Sequence, residues 1–99
     1  MLLVFRGITI GNNVWIAPNC YLIDCDHCIK KGILIRDQGA VVADVRIGKD
    51  VWLGEGVTIL KGVHVADGAV IGAGSAVTRN ILENVIAVGI PARVIKYRE

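Results

Sequence analysis

An aliphatic residue returns at every sixth position over a long part of the chain. These positions are Val41, Ile47, Leu53, Ile59, Val65, Ile71 and Val77. Four places after each of them comes a second set of small or apolar residues: Val45, Val51, Val57, Val63, Ala69, Ser75 and Ile81. A period of six fits neither the 3.6-residue period of an α-helical face nor the two-residue alternation of a half-buried strand. It is typical of a hexapeptide β-helix.

The spacing predicts the geometry of each repeat. Each hexad supplies a short strand and a tight corner, so three hexads complete one turn of a triangular coil. The aliphatic residue fills the interior and the small residue packs beside it. Gly or Ala follows several of the aliphatics, as at Gly48, Gly54, Ala66 and Gly72, and relieves crowding where the backbone bends. Coils of this kind stack in parallel, and each is supported mainly by its neighbours.

The same period already runs near the N-terminus. Its members are Val4, Ile10, Ile16 and Leu22, with Ile8, Val14 and Cys20 at the small positions. The pattern fails between Leu22 and Val41 and ends after Leu82. An interruption in a regular solenoid predicts a loop that leaves one face, and such insertions often carry function.

These limits predict the organisation of the whole chain. We expect one all-β domain over residues 1–99, with coils over 4–82, a protruding loop at about 24–40 and a tail over 83–99. Val94 and Ile95 in the tail are expected to cover the last coil as a short cap. The core of a chain of 99 residues provides only modest stability. We therefore expect this apolar solenoid to form oligomers.

Composition and charge exclude several classes of function. The net charge of +2 is too small to predict a nucleic-acid partner. No apolar run approaches the roughly 18 residues of a membrane span. Arg6 interrupts the apolar start of the chain and no basic segment precedes it, so no signal peptide is predicted. Three cysteines without secretory features indicate a reducing compartment, and the cytoplasm is the expected location.

The interruption holds the main concentration of chemically capable side chains, in the segment Asp24-Cys25-Asp26-His27-Cys28. Cys25 and Cys28 form a C-x-x-C that suggests a redox dithiol or half of a zinc site. However, a redox pair belongs at the start of a helix, and a zinc site needs a second pair. His27 is either a solvated loop histidine or a general base. Asp24 and Asp26 beside it are the candidate substrate-binding residues.

Several segments of the chain resemble the hexapeptide-repeat acetyltransferases, in the branch of xenobiotic and sugar O-acetyltransferases that includes galactoside, maltose and polysaccharide O-acetyltransferases. The segment "IAPNCYLIDCDHCIKKG" is similar to the stretch in which that family's histidine lies eight residues after an asparagine, here Asn19 and His27. The segments "IGKDVWLGEGVTILKGV", "GAVIGAGSAVTRNI" and "GIPARVIK" resemble its coenzyme-binding half. The resemblance runs from about Ile8 to Lys96.

The resemblance implies a left-handed β-helix, a homotrimer, and acetyl-CoA in the groove between adjacent coils. It implies that His27 deprotonates a sugar or polysaccharide hydroxyl and that the backbone N–H of Glu55 stabilises the oxyanion. By family position the coenzyme-binding residues are Trp52, Glu55, Ala73, Thr78, Arg79, Arg93 and Lys96. Two alternatives stay open within this set: Trp52 as a surface aromatic beside Trp15, and the three cations as an ordinary solvated basic end.

Two other functions are alternatives to this enzyme. Related enzymes carry further coils or a helical segment before this region, which supply acceptor-binding residues. The alternative is therefore a truncated, catalytically weak paralogue that serves as a coenzyme-binding or assembly module. A metalloenzyme of the γ-carbonic-anhydrase type needs three zinc histidines, whereas this chain has His27 and His64, so no metal is expected.

Overall fold

The computed structural model describes residues 2–3 and 7–99. Three sheets form the three faces of a triangular prism. The first face contains β2 (Ile8–Ile10), β7 (Val45–Ile47) and β10 (His64–Val65). The second face contains β3 (Trp15–Ile16), β8 (Trp52–Leu53), β11 (Val70–Ile71), β13 (Val85–Gly89) and β14 (Ala92–Tyr97). The third face contains β1 (Leu2–Leu3), β4 (Tyr21–Leu22), β9 (Thr58–Ile59) and β12 (Ala76–Val77).

Strands that follow one another along the chain visit the first, second and third faces in turn. Within each face, strands from successive coils pair in parallel; for example, Trp52 pairs with Trp15 on one side and with Val70 on the other. Leu53 and its partner Ile71 are eighteen residues apart, which is three hexads. The predicted parallel β-helix is confirmed.

The interior of the prism is aliphatic, as the hexad pattern predicts. Its buried residues are Cys20, Leu22, Val45, Ile47, Val51, Leu53, Val57, Ile59, Val63, Val65, Ala69, Ile71, Val77, Ile81, Val85 and Ala87. Ser75 is buried among them and its hydroxyl accepts a hydrogen bond from the Gly89 N–H at 3.0 Å. Ile10 is 38% exposed because β2 is the edge strand of the first face and has a coil on one side only. Val4, assigned to this interior by the pattern, lies outside the described residues.

Two assignments at the ends of the pattern are wrong. Val41 is not interior: it is 53% exposed and belongs to β6 (Ala40–Val42), which is part of the loop. The coils resume only at Val45. Ile81 is buried, but it pairs with Val65 and therefore takes the aliphatic position of its hexad instead of the small one.

The coils also continue beyond Leu82, where the pattern predicted their end. Ile81 pairs with Val65 and Ala87 pairs with Ile71, in each case sixteen residues earlier instead of eighteen. One corner, between Val77 and Ile81, is therefore two residues shorter than the others. This shortening shifts the phase of the repeat, and β13 then follows in its normal place on the second face.

The tail caps the helix in a different way from the prediction. β14 folds back antiparallel on β13, but Val94 and Ile95 remain 45% and 61% exposed. Backbone pairing and Arg98 hold the strand in place. The guanidinium of Arg98 lies 3.1 Å from Asp50 Oδ2 and donates to the Gly68 carbonyl at 2.9 Å. No helix among residues 7–99 is long and apolar enough to cross a membrane.

Candidate functional site

His27 lies on a two-stranded hairpin that leaves the corner between the third and first faces. β5 (Cys25–His27) pairs antiparallel with β6, and His27 is opposite Ala40. Since side chains alternate along a strand, His27 shares one face of the hairpin with Cys25, Ala40 and Val42. The His27 side chain is exposed, and the residues around it on this face are small or apolar.

The foot of the hairpin is tied to the coils on both sides. The Asp24 side chain is buried, and its carboxylate accepts a hydrogen bond from the Gly7 N–H at 2.9 Å. The Ala43 N–H donates to the Asp24 carbonyl at 2.8 Å, and the Gly62 N–H donates to the Ala43 carbonyl at 3.1 Å. These bonds connect the two ends of the loop to each other and to the neighbouring coils.

Asp26 has a contact of its own with the next coil. Its carboxylate lies 3.6 Å from the Lys61 ammonium, and by strand alternation it is on the face of the hairpin opposite to His27. The structure therefore does not bring Asp24 or Asp26 to the side of the hairpin where His27 is presented. Both carboxylates support the hairpin.

The C-x-x-C motif lies on extended chain. The Cys28 N–H donates to the Gly39 carbonyl at 3.0 Å, which continues the β5–β6 ladder. Residues three apart on a strand point to opposite faces, with Cα atoms roughly 10 Å apart, whereas a disulfide needs less than about 7 Å. Cys25 and Cys28 are both free thiols. This geometry contradicts a redox dithiol, and residues 7–99 contain no group of three metal-ligating side chains.

The outer part of the loop is organised by one side chain, Gln38. Its amide oxygen accepts from the Lys30 N–H at 2.7 Å, and its amide nitrogen donates to the carbonyls of Lys30 and Ile33 at 2.8 and 2.7 Å. A short 3₁₀ helix (Ile35–Asp37) precedes it. The apolar residues of this region remain exposed: Ile29, Ile33, Leu34 and Ile35.

Two of the predicted coenzyme residues, Glu55 and Ala73, lie one above the other at the corner between the second and third faces. Neighbouring backbone groups here are paired: Gly54 N–H with the Ile71 carbonyl at 2.8 Å, and Gly74 N–H with the Glu55 carbonyl at 2.7 Å. Among the hydrogen bonds of residues 7–99, none uses the N–H of Glu55 or of Ala73. Both side chains are exposed. This corner therefore offers two backbone donors that a bound molecule can satisfy.

Trp52 lies on the outside of the second face, directly beside Trp15. The two indoles are 55% and 77% exposed. Together with Val70, Ile86 and Lys96, which continue the same row across the sheet, they line a groove of about 740 Å³. Trp52 is thus a surface neighbour of Trp15, and its role beside the thioester stays a prediction.

The remaining predicted coenzyme residues occupy other parts of the prism. Thr78 and Arg79 lie on the shortened corner between the third and first faces, and both are exposed. Arg93 and Lys96 lie on β14, paired with Val88 and Ile86. His64 is exposed on the first face, where its backbone N–H donates to Asn80 Oδ1 at 2.8 Å.

His27 and the Glu55 corner lie at opposite ends of the third face. About five residues of extended chain separate the two corners, or roughly 16 Å at 3.3 Å per residue. The described part of one chain therefore does not bring His27 together with the Glu55 N–H.

Sequence reasoning missed two supporting residues, Lys61 and Gln38. Lys61 follows Ala43, the residue that closes the loop, by eighteen residues, which is one full turn of the helix. That spacing was a usable signal, because it places Lys61 on the coil next to the foot of the loop. Gln38 had no such signal, since its partners are backbone groups within an irregular segment.

Comparison with known proteins finds the same hexapeptide repeat in this chain. The family model described as bacterial transferase hexapeptide (six repeats) matches residues 44–79. Galactoside O-acetyltransferase of Escherichia coli is 44% identical over 90 residues, which is 90% of this chain and 43% of that protein.

Solved structures agree with this result. A maltose O-acetyltransferase from Clostridium difficile is 42% identical with a TM-score of 0.87, over 98% of this chain and 53% of that one. A galactoside acetyltransferase in complex with coenzyme A is 42% identical with a TM-score of 0.86, over 93% of this chain and 46% of that one.

The chain thus spans about half or less of the length of these relatives. The coils have the left-handed winding of this fold class. Repeat, fold and relatives together confirm the predicted resemblance of this chain to the hexapeptide-repeat acetyltransferases.

Proposed function

We propose that the protein is an acetyl-CoA-dependent O-acetyltransferase that acts on a hydroxyl of a sugar or polysaccharide, with His27 as general base. The observation that carries the proposal is the presentation of His27: an exposed imidazole on a hairpin that buried and paired carboxylates hold to the coils. The related galactoside and maltose O-acetyltransferases support the type of reaction.

The chemistry of the proposed step fits the residues. An alcohol is a weak nucleophile at neutral pH, and histidine is suited to accept its proton because the ordinary pKa of imidazole is near 6.5. The acceptor oxygen attacks the thioester carbonyl carbon as its proton passes to His27. The carbon–sulfur bond then breaks, the acetyl ester is formed, and the proton on His27 passes to the departing thiolate. A backbone donor at Glu55 stabilises the negative oxygen between these steps.

The coenzyme residues keep their predicted roles within this proposal. Trp52 lines the thioester region, Ala73 and Thr78 contact the pantetheine or adenine end, and Arg79, Arg93 and Lys96 pair with the phosphates. Their exposure and the unused N–H groups of the Glu55 corner support binding of a long, partly charged ligand. The related galactoside acetyltransferase with coenzyme A supports the same ligand class. We assign no metal to the reaction.

We propose that the complete site forms between copies of the chain in a homotrimer. The separation of His27 from the Glu55 corner within one chain supports this assembly, because a second copy can supply the missing half. Exposed apolar residues on the loop and on the second face provide surface for such contacts. We place Asp24 and Asp26 in the support of the hairpin, where their contacts lie, and the reaction in the cytoplasm, where free thiols persist.

The test combines binding with turnover. Acetyl-CoA binding is measured by calorimetry, and thiol release is then followed with a panel of sugars. We expect release that requires both acetyl-CoA and an acceptor, and we expect His27→Ala to reduce kcat by at least about 100-fold with coenzyme affinity retained, since a general base contributes 10²–10⁴. His64→Ala is the matched control, because His64 is an exposed histidine on the first face.

The outcomes separate the two candidate functions. Full activity of His27→Ala would refute the base assignment. Coenzyme binding without release for every acceptor would favour the coenzyme-binding or assembly module. An absence of binding would leave the fold without the proposed function.

A further inference from the structure

Lys61 lies next to the foot of the His27 hairpin, on the corner of the following coil. Its ammonium is 3.6 Å from the carboxylate of Asp26, the residue that precedes His27 in β5. The Gly62 N–H beside it donates to the Ala43 carbonyl at 3.1 Å. Lys61 therefore reaches the hairpin from a rigid part of the helix, close to the proposed base but on the other face of the strand.

The Lys61–Asp26 ion pair differs from the other contacts of loop residues 25–42 because it connects this part of the loop to the coils. The hydrogen bonds of the outer loop connect loop residues with one another, through the β5–β6 ladder and Gln38. Among the hydrogen bonds and ion pairs of residues 7–99, the Lys61–Asp26 contact joins residues 25–42 to the coils. Without it, the His27 end of β5 is held only through its own hairpin and the bonds at residues 24 and 43.

We propose that Lys61 is a positioning residue, which acts through Asp26 to hold the His27 strand at a fixed place against the β-helix. The proposal rests on the proposed function, in which His27 is the base. The two side chains are 31% and 59% exposed, so water partly screens the pair. A small displacement of a catalytic group is nevertheless expensive, and we expect a loss of roughly three- to tenfold in kcat when the pair is removed.

Kinetics provide the first part of the test. Lys61→Met removes the charge and keeps most of the apolar stem, Lys61→Arg restores a cation, and Asp26→Asn removes the other partner. We expect Lys61→Met and Asp26→Asn each to lower kcat by about three- to tenfold, with KM for acetyl-CoA unchanged. Lys61→Arg should recover most of the activity, and the double variant should lose no more than either single one. Lys49→Met, at an exposed corner lysine, is the matched control.

Thiol labelling provides the second part and needs no turnover. Cys25 and Cys28 are half-buried on the hairpin, whereas Cys20 is buried in the core and its thiol donates to the Gly54 carbonyl at 3.2 Å. Alkylation by iodoacetamide, followed by peptide mass spectrometry, reports the looseness of the hairpin against Cys20 as the internal reference. We expect Lys61→Met to accelerate labelling of Cys25 and Cys28 at least about threefold and to leave Cys20 protected.

The kinetic and labelling experiments test the proposed function and the positioning role of Lys61 separately. A wild-type protein without turnover would overturn the proposed function, and the labelling would still decide whether Lys61 holds the hairpin. Wild-type labelling rates in Lys61→Met would overturn the positioning role. So would additive kinetic losses in the double variant, or a lower kcat that Lys61→Arg fails to recover.

Discussion

Gly54 allows two successive coils to approach each other at the corner that carries Glu55 and Ala73. A Cβ atom at Gly54 would lie 2.7 Å from the Ala73 nitrogen, 3.0 Å from the Ala73 Cα and 3.1 Å from the Ile71 carbonyl oxygen. All three are backbone atoms, so no side chain can rotate away. The φ angle of Gly54 lies outside the left-handed region, and crowding is therefore the main penalty of a Gly54→Ala substitution.

The magnitude follows from two opposing terms. Overpacking a closely packed site costs about 1–3 kcal/mol. Replacing Gly by Ala returns about 0.4–1 kcal/mol, because the unfolded chain loses conformational freedom. We expect a net loss of about 1–2 kcal/mol in the free energy of unfolding. We also expect weaker acetyl-CoA binding, since the separated coils carry the two unused N–H groups.

Gly72→Ala is the matched control for this prediction. Gly72 follows Gly54 by eighteen residues and occupies the same corner one turn later. Its added Cβ would meet Val88 Cγ2 at 2.9 Å and Val88 Cβ at 3.1 Å, and the Val88 side chain is 38% exposed. Rotation about χ1 moves Val88 Cγ2 away but leaves Cβ in place, so β13 must also shift slightly. We therefore expect Gly72→Ala to cost less than about 1 kcal/mol, and less than Gly54→Ala.

The assay is urea unfolding followed by far-UV circular dichroism and by the fluorescence of the two tryptophans. Protein concentration must be the same for all variants, because association contributes to apparent stability. An unchanged m-value shows that the substitution altered stability and not the surface exposed on unfolding. The reasoning is refuted if Gly54→Ala unfolds within 0.5 kcal/mol of the wild type, or no less stably than Gly72→Ala.

Three further predictions test the core and the loop. Leu53→Ala should lower the free energy of unfolding by about 3–5 kcal/mol because Leu53 is fully buried. The control Leu82→Ala, at a residue 62% exposed, should change it by less than about 0.5 kcal/mol. Equal losses in the two variants would contradict the assigned interior. Gln38→Ala should accelerate tryptic cleavage at Lys30, Lys31 and Arg36 several-fold, because the loop loses three hydrogen bonds, while urea unfolding stays unchanged. Treatment with diamide should produce no intrachain disulfide between Cys25 and Cys28, measured as a mass loss of about 2 Da in the monomer, since extended chain holds them about 10 Å apart; rapid formation of that bond would show that the hairpin is not the strand described.

The hairpin shows where sequence reasoning about the site ended. The interruption of the repeat located His27 and its acidic neighbours, because an irregular segment in a regular solenoid must leave the stack. The faces on which these residues lie depend on the pairing of β5 with β6, which no local pattern encodes. Only that pairing separates Asp26 from His27 and turns it towards Lys61.

The hexad pattern by itself determined the parallel β-helix and most of its interior. Each coil obeys one local rule, with an aliphatic residue and a small residue pointing inward, so the rule can be read from the chain without knowledge of distant contacts. Tertiary structure decided the exceptions. Val41 leaves the interior because β6 extends the loop to Val42, and the phase of the repeat shifts because one corner after Val77 is two residues shorter.

The same distinction applies to the candidate site. The sequence determined which residue types stand at each corner, and so predicted His27, the Glu55 corner and the cations near the C-terminus. Tertiary structure decided that they occupy different corners of the prism, because a three-sided coil sends neighbouring hexads to different faces. It also decided that Asp24 is buried and that Lys61 supports the hairpin, since both contacts join residues at least seventeen positions apart.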